Sequence, residues 1–197
     1  MNIISDQYRL ELYTPEFDWD LAVEGLLQIF GDERVIRYNS NMLMKNEDAV
    51  IKYLSETDRG YENGIFYDYF LFDNSDNKVI GVIKYLSAKA VKQLYPTANY
   101  IFRGEEPGQS IRAIEYFLNP DYWRKGLMSH FLSESINKLF LEDTTTICAY
   151  IQPENIASSS ILKKLFFLKV PDYLSDQGQE LWYKKKQFKK TVVSSIC

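Results

Sequence analysis

The chain has 197 residues, of which 46% are hydrophobic, 15% aromatic and 25% charged. These fractions exclude a disordered or collagen-like protein and are typical of a globular protein that buries a sizeable core. The formal net charge of −4 argues against general nucleic-acid binding and mildly favours a cationic partner.

Membrane, secreted and metal-bound classes are not expected either. No apolar run approaches the ~20 residues that span a bilayer, and the first residues have no signal-peptide profile. Two cysteines, Cys148 and Cys197, with a single histidine, His130, exclude a zinc ribbon or a Cys/His cluster. We therefore expect a cytoplasmic protein of a reducing compartment, without a bound metal.

The spacing of apolar residues predicts a mixed α/β chain, folded as one domain over residues 1–197. Gly60 and Gly64 are expected to break the helix that begins near Asn46, and the polar run 73–77 is expected to form a hairpin turn. The elements predicted for the first half are a strand at Tyr8–Tyr13, a helix at Asp18–Phe30 that ends near Gly31, a helix that begins near Asn46, and strands at Tyr67–Phe72 and Val79–Leu86.

An insertion at residues 87–110 is interrupted by proline and glycine and predicts only a short helix, at Ala88–Leu94. A segment of this length without clear structure is usually functional or mobile. Its Glu105 and Glu106, together with Glu62, are candidates for the wall that attracts a cationic substrate.

The second half has the sharper pattern, centred on a strand–turn–helix–strand–helix unit. Its predicted elements are a strand at Ile111–Leu118, a helix that begins at Leu127, a strand at Thr145–Ile151, a helix at Ile156–Leu165, a strand at Glu180–Lys185 and a basic tail at 187–197.

The turn before the helix at Leu127 predicts an anion site. The first backbone N–H groups of a helix have no internal partners and lie at the positive end of its dipole. Gly126 permits close backbone approach, and Arg124 and Lys125 add positive charge. Taken alone, the pattern is also typical of a plain solvated helix start.

Two longer segments extend this motif. Ile114–Met128 reads IEYFLNPDYWRKGLM, and Asn155–Phe167 reads NIASSSILKKLFF. They resemble the strand with its pyrophosphate loop and the Asn-x-Ala-Ser…Lys-Leu-Gly-Phe segment of the GNAT acyl-CoA-dependent N-acetyltransferases, in the branch that contains the ribosomal-protein N-terminal acetyltransferases. The resemblance implies an α/β fold of the GNAT type, with a mixed, largely antiparallel central sheet, helices on both faces and a cofactor-binding core at about 111–167.

The resemblance also implies that acetyl-CoA lies in a V-shaped split between the strands at 111–118 and 145–151. Backbone amides of the loop would meet the pyrophosphate, and free backbone groups at the end of the first strand would pair with the pantetheine arm. Asn155 would contact the pantetheine, and Ser158 would stand near the sulfur. The implied cofactor contacts are Phe117, Leu118, Asn119, Arg124, Lys125, Gly126, Leu127, Met128, Ser129, Asn155 and Ser158.

The implied reaction is acetyl transfer to a primary amine by direct attack in a ternary complex, catalysed by a monomer or homodimer. The acceptor stays open between a protein N-terminus, a polyamine, an amino sugar and another small amine. An α-amine with a pKa of about 8 is already partly neutral, whereas a lysine-type amine near 10.4 needs more help.

Three departures from the family motif keep an alternative open. Trp123 stands where Gln or Arg is usual, Met128 where a small residue would leave room for the pyrophosphate, and Phe166 where the family has glycine. The alternative is a catalytically degenerate, ligand-sensing or interaction protein with the same fold. A nucleotide-binding module that uses the same helix start is a further alternative, although the segment Asn155–Phe167 argues against it.

Glu115 and Ser158 are the catalytic candidates. Glu115 lies mid-strand between apolar residues, where partial burial would raise its pKa towards that of a useful base. The family's frequent strand glutamate falls at Ala113, but strand alternation places Glu115 on the same face. Ser158 could protonate the departing thiolate, since Leu162 occupies the place of the tyrosine that many relatives use. The open alternatives are a salt-bridged Glu115 and a Ser158 that only satisfies nearby amides.

The remaining reactive side chains receive structural interpretations. Cys148 is expected to be a small buried hydrophobe rather than an acyl carrier. His130 lies off the apolar stripe of its helix and is expected at the surface. The lysines between 184 and 190 are expected to form a solvated strand end and tail, with phosphate or RNA contact as the lesser alternative.

Overall fold

A computed structural model describes residues 2–102 and 110–187, and within them the strands form one eight-stranded sheet. The sheet order is β1-β2-β3-β4-β5-β6-β8-β7, and every neighbouring pair is antiparallel except β5 and β6. The predicted mixed, largely antiparallel sheet is confirmed. The strands are β1 (Ile3–Ile4), β2 (Tyr8–Leu12), β3 (Phe66–Asp73), β4 (Lys78–Leu86), β5 (Ser110–Leu118), β6 (Thr144–Ile151), β7 (Leu168–Lys169) and β8 (Glu180–Lys185).

Helices cover both faces of this sheet, as predicted. They are α1 (Asp20–Phe30), α2 (Glu33–Ile36), α3 (Glu47–Glu62), α4 (Ala88–Leu94), α5 (Pro96–Phe102), α6 (Leu127–Leu141) and α7 (Ile156–Lys164), with short 3-10 helices at Ser40–Met42 and Pro120–Tyr122. Within the described residues, none of these helices has the length and apolar character needed to cross a membrane.

Alternation along β3 divides the core between the two faces. Tyr69 and Leu71 pack in the cluster that contains α6 and α7, whereas Phe70 and Phe72 pack in the cluster that contains α1 and α3. The elements that the sequence predicts all occur, with ends within two residues of those expected. The short elements β1, α2, α5 and β7 have no counterpart in the prediction.

Gly60 does not break the third helix, and this prediction is wrong. The helix continues through Gly60 to Glu62. Glycine stands at position 60 because a Cβ atom there would lie 2.3 Å from the Phe66 ring that packs on it. The break comes at Gly64, whose φ of 61° is left-handed. At the other end, the predicted cap is confirmed, since the Asn46 side chain accepts a hydrogen bond from the Ala49 amide at 3.1 Å.

The insertion is more regular than the sequence predicts. Its described part forms α4 and α5, and Ala90 and Val91 of α4 pack with Leu86, Ile111 and Leu181 on the sheet. This packing extends the second face of the core past the end of α3. The candidate acids Glu105 and Glu106, and most of the tail at 187–197, lie outside the described residues.

Helix α1 approaches β4 so closely that only glycine fits at position 25. A Cβ atom there would lie 2.1 Å from the Val79 carbonyl oxygen. We therefore expect Gly25→Ala to lower the free energy of unfolding by about 1–3 kcal/mol, although alanine is the better helix former. Chemical denaturation measures the change, with Leu21→Ala at an exposed position of the same helix as the control. Equal stability of wild type and Gly25→Ala would contradict the close packing.

Candidate active site

The site is built on the divergence of two neighbouring parallel strands. β5 and β6 pair from Ser110–Thr144 to Ala113–Cys148, and no further. Beyond that point β5 stays paired with β4 as far as Leu118, and β6 stays paired with β8 as far as Ile151. The two strands therefore open into a cleft of about 1640 Å³. This cleft lies in the split between the two strands that the sequence predicts.

The backbone groups that face the cleft follow from the pairing of β5 with β4. The Asn119 amide donates to the Ile80 carbonyl at 2.8 Å. In an antiparallel pair, every second residue directs both its N–H and its C=O group to the partner strand, and the residues between them direct theirs away from it. By this alternation the peptide groups of Phe117 face β4, whereas those of Tyr116 and Leu118 face the cleft. The Leu118 carbonyl already accepts the Trp123 indole N–H at 2.8 Å.

An uncapped helix start lies at the mouth of the cleft. Gly126 is the N-cap of the 15-residue helix α6, with a φ of 77° and no side-chain cap, and a Cβ atom added to it would meet nothing within 4 Å. Arg124 also has a left-handed φ, of 62°. The His130 amide bonds back to the Gly126 carbonyl at 3.0 Å, so the amides of Leu127 to Ser129 are those without a helical partner. A phosphate group fits this chemistry.

Most of the predicted cofactor contacts line this cleft, and two do not. The lining residues among them are Phe117, Leu118, Arg124, Gly126, Leu127, Met128, Ser129, Asn155 and Ser158. Asn119 is buried, and its side-chain oxygen accepts the Asp121 amide at 3.0 Å. Lys125 does not line the cleft, and its ammonium group lies 4.5 Å from the centre of the ring of Tyr122, which does. The predicted use of Asn119 is corrected to the backbone groups of Tyr116 and Leu118, since the Asn119 peptide is already bonded to β4.

Helix α7 begins at the same cleft. The Asn155 side-chain oxygen accepts the Ser158 amide at 3.1 Å, which makes Asn155 the N-cap. A contact with a pantetheine carbonyl therefore has to come from the Asn155 side-chain NH₂ group. The Tyr116 hydroxyl donates to the Ser158 carbonyl at 3.3 Å and so links β5 to α7 beside the split. Burial raises the pKa of Tyr116 to about 12.

Glu115 lies in the wall of the cleft. It is half-buried, and in the sheet register it stands directly opposite Lys84 of β4. Burial raises the pKa of the Glu115 carboxyl above its ordinary value, although the Lys84 ammonium group opposes this rise and the Asp68 carboxylate adds to it. A carboxyl with a raised pKa at the wall of a cleft is suited to accept a proton near neutral pH.

Comparison with known proteins identifies the family. A family model described as an acetyltransferase (GNAT) domain matches residues 9–167. The chain belongs to the GNAT acetyltransferase family. No curated protein sequence matches the chain. Membership in this family supports an acyltransferase activity.

Solved structures share the fold at low sequence identity. The ribosomal-protein-S5-alanine acetyltransferase from Vibrio fischeri has a TM-score of 0.63 at 16% identity, covering 94% of this chain and 97% of its own. The ribosomal L7/L12 alpha-N-protein acetyltransferase RimL, in complex with coenzyme A, has a TM-score of 0.67 at 13% identity, covering 93% and 96%. The aminoglycoside acetyltransferase AAC(6')-Ib, with ribostamycin and coenzyme A, has a TM-score of 0.66 at 16% identity, covering 97% and 100%.

The structure places the departures from the GNAT motif. Met128 borders the cleft, but it is only 4% exposed and packs with Phe131 and Leu132 in the core. Phe166 is 81% exposed and does not line the cleft. Its position is the left-handed residue after α7, with a φ of 62°, where the Phe167 amide bonds to the Leu162 carbonyl at 2.9 Å.

The structural interpretations of Cys148 and His130 are consistent with their positions, whereas the described lysines of the basic run are less solvated than expected. Cys148 is fully buried, and burial raises the pKa of its thiol to about 12, which suppresses the reactive thiolate. His130 is exposed. The lysines at 184–186 are half-buried at the end of β8, and Lys189 and Lys190 lie outside the described residues.

Of the insertion at 87–110, which the sequence analysis names as a candidate for the acceptor wall, Tyr95 lines the cleft. Sequence reasoning missed the rest of the far wall. It is formed by the segment at 33–41, whose Tyr38 hydroxyl donates to the Glu154 carbonyl at 3.0 Å. It also contains a tyrosine cluster, in which Tyr95 stacks on Tyr150 at 4.3 Å and Tyr173 meets Tyr150 edge to face at 6.3 Å. No signal in the sequence brings these segments together, because they are far apart along the chain.

The position of Phe166 gives a stability prediction. A side chain in the left-handed region costs roughly 1–2 kcal/mol, which glycine avoids. We expect Phe166→Gly to raise the free energy of unfolding by about 1 kcal/mol. Phe166→Ala, which keeps a Cβ atom at the same φ, is the matched variant and should bring no comparable gain. Equal gains in denaturant melts would point to the exposed ring, and not the backbone, as the cause.

Proposed function

We propose that this protein transfers the acetyl group of acetyl-CoA to a primary amine, by direct attack within a ternary complex. The observation that carries the proposal is the cleft between β5 and β6, with the uncapped start of α6 at its mouth and the Glu115 carboxyl in its wall. Family membership and the coenzyme A complexes of proteins with this fold support it.

The chain supplies a matching set of contacts for the cofactor. The amides of Leu127 to Ser129 would hold the pyrophosphate, with Arg124 adding positive charge. The N–H and C=O groups of Tyr116 and the N–H group of Leu118 would pair with the pantetheine arm in the manner of an added strand, and the Asn155 NH₂ group would donate to one of its carbonyls. When bound, acetyl-CoA supplies the activated acetyl group and a thiol as the leaving group.

The proposed chemistry then needs four tasks from the protein. Glu115 accepts the proton that the attacking amine loses, which typically contributes ~10²–10⁴-fold. A backbone amide of β5 that faces the cleft stabilises the negative charge that develops on the acetyl oxygen. Ser158, at the start of α7, donates its hydroxyl proton to the departing thiolate and takes a proton back from solvent, so that the free thiol leaves and the serine is restored. The cleft positions the two substrates, which contributes through orientation.

The acceptor side is described by its aromatic and acidic lining. The tyrosines 95, 150 and 173 and the carboxylates Glu33 and Asp176 belong to the same cleft. The tyrosine faces and these two carboxylates suit a primary amine that carries positive charge before the reaction, while Arg34 and Arg37 line the same cleft. Proteins with this fold acetylate ribosomal proteins and aminoglycosides, and for this chain a protein N-terminus, a polyamine, an amino sugar and another small amine are the classes to screen. We place the reaction in the cytoplasm.

Cofactor binding is tested by calorimetry with acetyl-CoA, ATP and NADH. We expect binding of acetyl-CoA in preference to both others. Gly126→Ala should weaken acetyl-CoA binding about tenfold or more, a loss of ~1.4 kcal/mol. The new methyl group would occupy open space at the start of α6, where the pyrophosphate is proposed to bind.

Gly178→Ala is the matched control for this experiment. Gly178 also has a left-handed φ, of 73°, with nothing within 4 Å of an added Cβ atom, but it does not line the cleft. Both variants incur the same kind of backbone strain, so only Gly126→Ala should lose affinity. Tighter binding of ATP than of acetyl-CoA, or no binding of acetyl-CoA at millimolar concentration, would refute the proposed function.

The role of Glu115 is tested by Glu115→Gln in an acetylation assay over a panel of amines. We expect kcat to fall ~10²–10⁴-fold with the affinity for acetyl-CoA unchanged. Because burial raises the pKa of Glu115, kcat/KM of the wild type should rise with pH through a value above that of an ordinary glutamate. A variant that keeps wild-type kcat would remove Glu115 from the mechanism.

A further inference from the structure

Three charged side chains form a row across the middle of the sheet. Asp68 of β3 stands directly opposite Lys84 of β4, and Lys84 stands directly opposite Glu115 of β5. Side chains that oppose each other in neighbouring strands lie on the same face and interact. Only Glu115 of the three lines the cleft. The row therefore connects the cleft wall to the interior of the sheet.

Lys84 is held in place from several sides. Its ammonium nitrogen lies 3.6 Å from Asp68 Oδ2, and its side chain is only 12% exposed. The same nitrogen lies 4.1 Å from the centre of the Phe66 ring and 5.0 Å from that of Tyr53. These contacts confine a charge that on an ordinary surface lysine would move freely in solvent.

Asp68 is the inner end of the row. Its side chain is fully buried, and the hydroxyls of Tyr53 and Thr57 donate to the same oxygen, Oδ2, that faces Lys84. The other oxygen, Oδ1, is buried and has no hydrogen-bond partner within the described residues. The row thus contains two carboxyl groups and one ammonium group, which leaves one negative charge uncompensated when all three are ionised.

We propose that Lys84 and Asp68 are positioning residues that act on the ionisation of Glu115: the Lys84 ammonium group favours the ionised form of Glu115 at the cleft wall, and the Asp68 carboxylate, which pairs with that ammonium group, opposes it. The inference rests on the proposed function, in which Glu115 is the base. The two residues act on Glu115 with opposite sign. The Lys84 charge lowers the pKa of Glu115, and the Asp68 charge raises it, with Lys84 the stronger of the two.

Other titratable groups near Glu115 do not compete with this effect. Tyr53 of α3 and Tyr95 after α4 interact with the Glu115 charge, and burial raises the pKa of both phenols well above the ordinary value. They therefore stay neutral through the range in which a carboxyl titrates. Lys84 and Asp68 remain as the charged groups that act on Glu115. Burial raises the pKa of Asp68, whereas the Lys84 ammonium group and the hydrogen bonds from Tyr53 and Thr57 favour its ionised form.

The experiment is a ¹³C NMR titration of the glutamate side-chain carboxyl groups in the full-length protein, with Glu115→Gln to assign the Glu115 signal. We expect Lys84→Met to move the Glu115 midpoint to higher pH and Asp68→Asn to move it to lower pH. Lys84→Arg, which keeps the charge, should stay closer to wild type than Lys84→Met. Lys78→Met is the matched control, because Lys78 lies in the same strand but pairs with Glu24 at 2.8 Å, and it should leave the midpoint unchanged.

Opposite shifts separate an electrostatic role from a merely structural one. Shifts of both variants in the same direction, or no shift in either, would overturn the proposal. If the buried Asp68 destabilises Lys84→Met, the double variant Asp68→Asn/Lys84→Met contains no unpaired buried charge and must titrate above Asp68→Asn alone.

The titration needs no acceptor, so its result is independent of whether the protein acetylates amines. Once an acceptor is known, the acidic limb of kcat/KM against pH should move in the same direction as the NMR midpoint of each variant. A limb that stays fixed while the midpoint moves would overturn the positioning role. If the wild type does not bind acetyl-CoA, the proposed function is refuted, and the titration can still be interpreted.

Discussion

The rest of the site depends on one constraint, the divergence of β5 and β6 after the Ala113–Cys148 pair. Each strand keeps its outer partner, so the peptide groups on the inner side of the split lose theirs. Unpaired backbone groups are costly when buried, and the cleft therefore presents a row of them to a ligand. Helix α6 adds its own unpaired amides there, and α7 begins there with Asn155 as its cap, because both helices lie next to the diverging strands in the chain.

A second constraint is the burial of charge in the middle of the sheet. Asp68 and Lys84 pair with each other in the interior of the sheet, where burying either charge without the other is costly. The neighbouring Glu115 shares this environment but reaches the cleft. A single arrangement thus accounts for a structural ion pair and for a carboxyl with a perturbed pKa beside the region where chemistry is proposed.

Much of the fold and part of the site were predictable because they depend on local sequence. Apolar periodicity set the main helices and strands, and the glycine at 126 and the asparagine at 155 marked the starts of α6 and α7. The prediction was wrong at Gly60, because the Phe66 ring that packs on it belongs to a later strand. For the same reason it included Asn119 among the cofactor contacts, since only the pairing with β4 reveals that its amide is already bonded.

The sequence by itself determined the family, the order of the elements and the residue types at the helix starts, since each of these depends on short-range spacing and conformational preference. Asp68, Lys84 and Glu115 are each an interior charge in an apolar strand, but the sequence does not state which of them are neighbours. The tertiary structure decided that, together with the far wall of the cleft. The physical reason is that strand register and the side to which each peptide group points are set by contacts between residues distant in the chain.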